Sequence, residues 1–235
     1  FKFLFNLYRE NKFDIIFSYQ YGPKYLKYVL LGKFFKAKVY FYGIFKKKES
    51  MMMRAIKSNE IWLKIKILER KSDIELADKI LIKKNQIVIG VGASGDNKRW
   101  SIKKFSNLIK YLKKYNFTFI ISGGPDESEI IKSIKKNHKD IKIISIEKLN
   151  IEDSIQIIKS AKYHIGNDSG FMHICAALKI KSFCLYGDTP SEDSSYNNNI
   201  IPILPDGYSK ISHGSRLMNK ISLKRVIEVF DKNLC

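Results

Sequence analysis

From Ile87 onward the chain alternates short apolar runs with segments of helical spacing, and glycine or acidic residues follow several of the runs. This alternation limits the fold more than any other feature, because each apolar period of two or of 3.6 commits its segment to a strand or to a helix. Ile87–Val91 predicts a strand ended by Gly92. Ile102, Phe105, Leu108, Ile109 and Leu112 recur three or four apart and predict a helix with Ser101 at its N-cap. Phe117–Ile121 predicts a strand closed by Gly123, Gly124 and Pro125, with a helix over roughly Glu127–Asn137 and a third strand at Ile141–Ile146. Asn150 and Asp153 stand as a capping box, Asp replacing the usual Glu, for a helix reaching to about Ala161. Tyr163–Ile165 predicts a strand, Asp168 a cap for a helix through Leu178, Ser182–Tyr186 another strand and Ile221–Asn233 a closing helix. Strands parted by helices of this length imply an α/β fold with a parallel, doubly wound sheet. Ligands of such sheets bind at the carboxyl ends of the strands, and Gly92–Lys98, Gly123–Glu127 and Gly166–Gly170 all follow strands.

Residues 1–86 read differently. Asp14–Tyr19 and Lys38–Phe41 predict strands with a helix between them, Lys46–Glu49 is charged, and Ile61–Lys71 has a basic, helical pattern. The expectation is a partial α/β domain over 1–75, a linker near 70–86 and a complete domain over 76–235. Because the sequence opens with Phe1 rather than Met, a fragment or processed product is expected. The opening lacks the pattern of a secretion signal.

The 235 residues, 45% of them hydrophobic, suffice to bury a sizeable core. No run of about 18 uninterrupted apolar residues offers a spanning helix. Three cysteines, Cys175, Cys184 and Cys235, do not make a disulfide framework and fit a reducing cytoplasm, and no Cys or His pair has zinc spacing. The formal net charge of +20 attracts anionic partners such as acidic lipid head groups or phosphorylated glycans, or reflects a lysine-rich composition with solvated side chains. The lysines are spread over nearly every segment without a nucleic-acid-binding motif, so no nucleic-acid partner is expected.

Four loops carry candidate chemistry. In Val91–Trp100 (VGASGDNKRW), Gly92 and Gly95 let the backbone approach a ligand, Ser94 can donate to phosphate oxygens, and Lys98 adds charge near a helix start. The G-K-[ST] ending of a Walker loop is missing, and a plain βα turn also fits. In Ile165–His173 (IGNDSGFMH), Asp168 and Ser169 sit at the helix start, and the amides of Ser169 and Gly170 would point at an anion. His173 lies one helical turn after Ser169, a spacing that lets both face the same cleft. Each also has an ordinary reading, Asp168 as an N-cap and His173 as a packed histidine. In Ser122–Glu127 (SGGPDE), Asp126 and Glu127 suit either a helix start or the hydroxyls of a ribose. Leu149, in Glu147–Asn150, lies on the flat face of a base or packs in the core.

Together these loops resemble glycosyltransferase family 9, the ADP-heptose:lipopolysaccharide heptosyltransferases. The resemblance rests on Gly92–Trp100, Gly123–Glu127, Gly166–Leu178 (GNDSGFMHICAAL), Phe183–Pro190 (FCLYGDTP) and the M-x-x-I-S segment at Met218, Ile221 and Ser222. It covers residues 87–235 well and 1–86 more weakly. It implies two Rossmann-like domains facing a cleft, the C-terminal one complete and holding an ADP-linked sugar, the N-terminal one partial and on the acceptor side. It further implies Ser94 and Lys98 on the diphosphate; Asp168, Ser169 and Gly170 on the diphosphate and sugar; Asp126 or Glu127 on the ribose; Leu149 on the adenine; and His173 shaping the sugar pocket or orienting Asp168. The implied reaction is inverting heptosyl transfer to a lipopolysaccharide core or other surface glycan, without a cofactor or tightly held metal. The implied acceptor is an anionic glycolipid, and the implied place is the cytoplasm with possible peripheral contact at the inner membrane. The family's general base sits on an early G-D loop, and its counterpart is expected upstream of Phe1. Asp14 is a poor substitute. Two other readings stand beside this one: a nucleotide-sugar hydrolase or epimerase of the same architecture, and an inactive nucleotide-binding remnant.

Overall fold

The structure is a computed structural model that describes residues 6, 9–10, 13, 15–18, 26–41, 84–194 and 197–234. The chain forms two compact units, Phe1–Glu69 and Arg70–Cys235. In the first, β1 (Ile15–Ser18) and β2 (Lys38–Phe41) pair in parallel, with α1 (Leu26–Phe34) between them in sequence. Helix α1 packs closely on β2 at Gly32, where an added Cβ would stand 2.2 Å from Val39 Cγ2. Asp14, Tyr19, Lys46–Glu49, Ile61–Lys71 and most of the expected linker lie outside the described residues.

The second unit is built on one six-stranded sheet. In chain order its elements are β3 (Gln86–Gly90), α2 (Ile102–Leu112), β4 (Thr118–Ser122), α3 (Ser128–Asn137), β5 (Ile143–Ser145), α4 (Ile151–Ile158), β6 (Tyr163–Asn167), α5 (Gly170–Ala177), β7 (Lys181–Leu185), β8 (Ile200–Ile203) and α6 (Leu223–Lys232). The strands are ordered β5-β4-β3-β6-β7-β8, and every pair is parallel. Each predicted strand and helix is present within a few residues of its expected place. Strand β8 was not expected: its Ile-Ile-Pro-Ile run is short, and Pro202 confines it to the edge it occupies.

The inner strands are buried on both faces and so carry nearly continuous apolar runs. Alternate residues supply two cores. Ile87, Ile89, Phe119, Ile121, Ile165 and Phe183 meet the apolar stripes of α2, α3 and α6, whereas Val88 and Ile120 pack with residues of α4 and α5, Ile158 and Cys175 among them, on the other face. Three helices are capped as their sequences dictate. Ser101 accepts from Lys104 N, Ser222 from Arg225 N, and Asn150 Oδ1 from Asp153 N at 2.8 Å. The return bond of the Asn150 box runs side chain to side chain, from Nδ2 to Asp153 Oδ2, because the shorter Asp falls short of the Asn150 amide.

The chain leaves β3 outward through β4 and β5, then returns to lay β6 on the other side of β3. The strand order therefore reverses between β3 and β6, the point at which open α/β sheets place their ligands. Here the backbones are bare: Gly90 pairs with Gly166, and a Cβ on Gly166 would lie 2.5 Å from Gly90 O.

Candidate functional site

The loop leaving β3, residues 91–100, is tied at both ends by one side chain. Asn167, wholly buried at the end of β6, donates from Nδ2 to Val91 O (2.9 Å) and accepts at Oδ1 from Trp100 N (3.0 Å). Trp100 is itself buried, edge-on to Phe105, and its Nε1 donates to Ile221 O at 2.9 Å. Between these ends Asp96–Lys98 forms a single 3-10 turn that presents Lys98 inward, while Ser94 stands exposed. Arg99 fixes the loop's outer side, bonding Ala93 O (3.2 Å), Asp96 Oδ1 (2.5 Å) and Glu127 Oε1 (2.6 Å).

The loop leaving β6 meets this one across the strand reversal. Lys98 Nζ lies 3.6 Å from Asp168 Oδ2, with the Asp168 side chain 14% exposed. On the other side His173 Nε2 lies 4.0 Å from Asp168 Oδ1. Burial pulls the His173 pKa below its ordinary 6.5, and the Asp168 charge opposes that shift. The capping role expected of Asp168 does not hold: Ser169 occupies the N-cap of α5, and no side chain caps the helix. The first amides of α5 thus lack a side-chain cap and carry the partial positive charge of the helix start. Gly170, the first residue of α5, has no atom within 4 Å of an added Cβ, so packing does not explain its missing side chain.

The loop after β4 supplies the two remaining carboxylates in unlike settings. Glu127 is buried, its Oε1 held by Arg99 and its Oε2 by Gly124 N at 2.7 Å, with Gly92, Gly123 and Gly124 close around it. Its neighbour Asp126 is exposed. Leu149, after β5, is 41% exposed and so is not part of the core. The structure thus brings Lys98, Asp168 and His173 together directly and joins Glu127 to the same loop through Arg99. Ser94, Ser169, Gly170, Asp126 and Leu149 all follow strands at the same sheet end. Asn167 and Arg99 are the residues holding the candidate site together that sequence reasoning passed over. Both stand inside the motifs already singled out, yet their partners lie 67 and 28 positions away.

Beneath the site, His164 on β6 is completely buried with neither ring nitrogen hydrogen-bonded, and burial holds its pKa down to about 3. Cys175 and Cys184 are buried in the core, and burial pushes the Cys184 pKa up. Among the described residues no three His, Cys, Asp or Glu side chains converge as a metal site, and no helix is long and apolar enough to cross a membrane. An open groove of about 500 Å³ at the start of α6, lined by residues such as Asp206, Tyr208 and Arg225, includes none of the expected site residues.

Comparison with known proteins bears on what this arrangement serves. A family model described as glycosyltransferase family 9 (heptosyltransferase) matches residues 51–215. Lipopolysaccharide heptosyltransferase 1 of Campylobacter coli is 32% identical over 152 residues, covering 60% of this chain and 43% of that protein. Lipooligosaccharide heptosyltransferase 2 of Campylobacter jejuni is 26% identical over 198 residues, covering 79% of this chain and 61% of that protein. The chain therefore spans 43–61% of the length of these two curated relatives. The solved structure of E. coli heptosyltransferase WaaC with ADP-2-deoxy-2-fluoro heptose matches with a TM-score of 0.68 at 16% identity, over 99% of this chain and 78% of that one. At that identity the likeness shows the fold: the Rossmann-like architecture of the heptosyltransferases.

Proposed function

The chain belongs to glycosyltransferase family 9, and from that premise we propose that it binds an ADP-linked heptose, or a related nucleotide sugar, and serves inverting transfer of the sugar to a lipopolysaccharide core or other surface glycan. The observation that carries the reading is the Lys98–Asp168 pair, which spans the β3/β6 reversal beside the uncapped start of α5. A diphosphate seated there meets the Lys98 ammonium, the Ser94 hydroxyl and the amides of Ser169 and Gly170. The same groups face the charge that grows on the departing diphosphate as the anomeric bond breaks, where preorganised donors stabilise the transition state more than the ground state. Asp168 holds Lys98 in place and turns toward the sugar, with His173 behind it. Glu127, immobilised by Arg99, and the exposed Asp126 are the carboxylates offered to the ribose, and Leu149 is the apolar surface offered to the adenine.

In this reading residues 1–75 form the acceptor side and 76–235 the donor side. The base that deprotonates the acceptor hydroxyl belongs to the acceptor side and is assigned to none of the described residues. The acceptor is an anionic glycolipid, reached by peripheral contact at the cytoplasmic face of the inner membrane.

Calorimetric titration of the 235-residue chain with ADP tests the donor site. Lys98→Ala and Asp168→Ala are each expected to weaken binding about tenfold or more, since one charge-assisted contact contributes roughly 1.5–3 kcal/mol. Should both variants bind ADP as tightly as the parent, the site is wrongly placed. Release of free heptose from ADP-heptose in the absence of acceptor, at a turnover that depends on Asp168 and His173, would instead favour a hydrolase.

A further inference from the structure

The two faces of the sheet carry different charge. The layer formed by α2, α3 and α6 holds nine Lys and Arg residues against three Glu and Asp, whereas α4 and α5 on the other face hold two acids and no Lys or Arg. A lysine-rich composition alone would have decorated both faces alike. The basic layer is continuous, because α2 lies between α3 and α6 and contacts both.

Its cations are arranged outward. Lys103 and Lys110 are exposed and seven residues apart, on one side of α2 two turns apart. On α3 and the turn after it, the exposed Lys132, Lys136 and Lys139 follow at intervals of four and three. Among the described residues no carboxylate stands within 4.0 Å of Lys103, Lys110, Lys136 or Lys139, although Lys132 is paired with Glu129 at 2.6 Å. None of the layer's aromatic rings is exposed, although Tyr111 and Tyr115 are only half-buried. Phe105 and Phe230 are buried, and the hydroxyls of Tyr111 and Tyr115 bond Asp231.

We propose that the exposed surface of the α2, α3 and α6 layer docks on a bilayer surface rich in anionic lipid head groups. A broad array of unpaired lysines suits a sheet of negative charge, to which each contributes while it stays within about a Debye length. A single-stranded polynucleotide would ask for exposed rings on which bases stack, and this layer presents none. The surface works by attraction rather than insertion, so its binding falls as salt rises. The choice of a lipid partner rests in part on the glycolipid-acceptor reading above, but the docking itself needs neither donor nor acceptor.

The test is co-sedimentation of the 235-residue chain with phosphatidylglycerol–phosphatidylcholine vesicles, with pure phosphatidylcholine vesicles and polyuridylate as the contrasting probes. A Lys103→Gln/Lys110→Gln/Lys136→Gln/Lys139→Gln variant removes four charges from the layer. A Lys33→Gln/Lys84→Gln/Lys162→Gln/Lys179→Gln variant removes four exposed charges outside it. The parent is expected to bind only the anionic vesicles. The layer variant is expected to lose at least about tenfold in partition and the other to stay within about twofold of the parent. Equal losses in both variants would show diffuse attraction by net charge and overturn the proposal. So would failure of the parent to bind anionic vesicles, or tighter, layer-dependent binding to polyuridylate. ADP titration of the same variants separates this result from the donor-site reading, because none of the eight lysines belongs to that site.

Discussion

Lys98 Nζ and Asp168 Oδ2 stand 3.6 Å apart on loops that leave the two strands between which the sheet order reverses. The pair is partly desolvated, so removing one partner exposes the other charge to an uncompensated setting. If Asp168 acts on the diphosphate chiefly by holding Lys98, the two substitutions do not add. We expect Lys98→Ala/Asp168→Ala to lose less ADP affinity than the sum of the single losses, with a coupling on the order of 0.5–3 kcal/mol. A double-mutant cycle of ADP dissociation constants measures it, and strict additivity would mean that each residue meets the ligand on its own.

Two glycines of the same motif are expected to behave oppositely. A Cβ on Gly166 collides with the Gly90 backbone at 2.5 Å, whereas one on Gly170 meets nothing within 4 Å. Gly166→Ala should therefore lower stability by roughly 1–3 kcal/mol, the range for overpacking. Gly170→Ala should leave the melting temperature unchanged or higher, since alanine favours a helix, while weakening ADP binding through the space it takes from the ligand. Thermal unfolding alongside nucleotide titration separates the two. Unimpaired binding in Gly170→Ala would show that no ligand presses there.

The sheet, its helices and the loops that face the site were legible in the sequence because periodicity and turn residues are local signals. The Gly-rich loops could be placed at strand ends by counting along the chain. The roles of Asp168, Arg99 and Asn167 were not legible in this way. An acidic residue before a helix reads as a cap, and only the folded geometry shows Asp168 turned instead to Lys98 and His173. Nothing local to Arg99 names Glu127 as its partner, and nothing local to Asn167 reveals that it spans both ends of the 91–100 loop. Strand β8 was missed for a different reason: four residues with a proline inside give too short a pattern to outweigh the breaker.

Asn167 yields the third prediction. Its amide satisfies a buried backbone donor at Trp100 and a buried acceptor at Val91, and Asn167→Leu removes both bonds while keeping similar bulk. A buried polar group left unpaired costs about 1–3 kcal/mol. The variant should lose roughly 2–4 kcal/mol of unfolding free energy by urea titration, and amide exchange should accelerate across residues 92–99. Exchange unchanged in that loop would assign its order to Arg99 rather than to Asn167.

His164 gives the pH dependence. Its folded pKa, held to about 3 by complete burial, lies below the ordinary 6.5 expected on unfolding. Between those values the unfolded chain binds the extra proton, so stability falls as pH drops through that window. The slope approaches 1.4 kcal/mol per pH unit for this one group. His173, also shifted downward by burial, adds to the slope in the same direction, so a single variant cannot account for all of it. His164→Phe should flatten the loss of stability between about pH 6 and about pH 4 by most of one proton, whereas His173→Gln should flatten it less, because Asp168 offsets part of its shift. Urea unfolding of the parent and both variants across that range supplies the comparison. If His164→Phe retains the parent's slope, the imidazole is not held neutral in the folded protein, and a protonated form must find an acceptor inside the sheet.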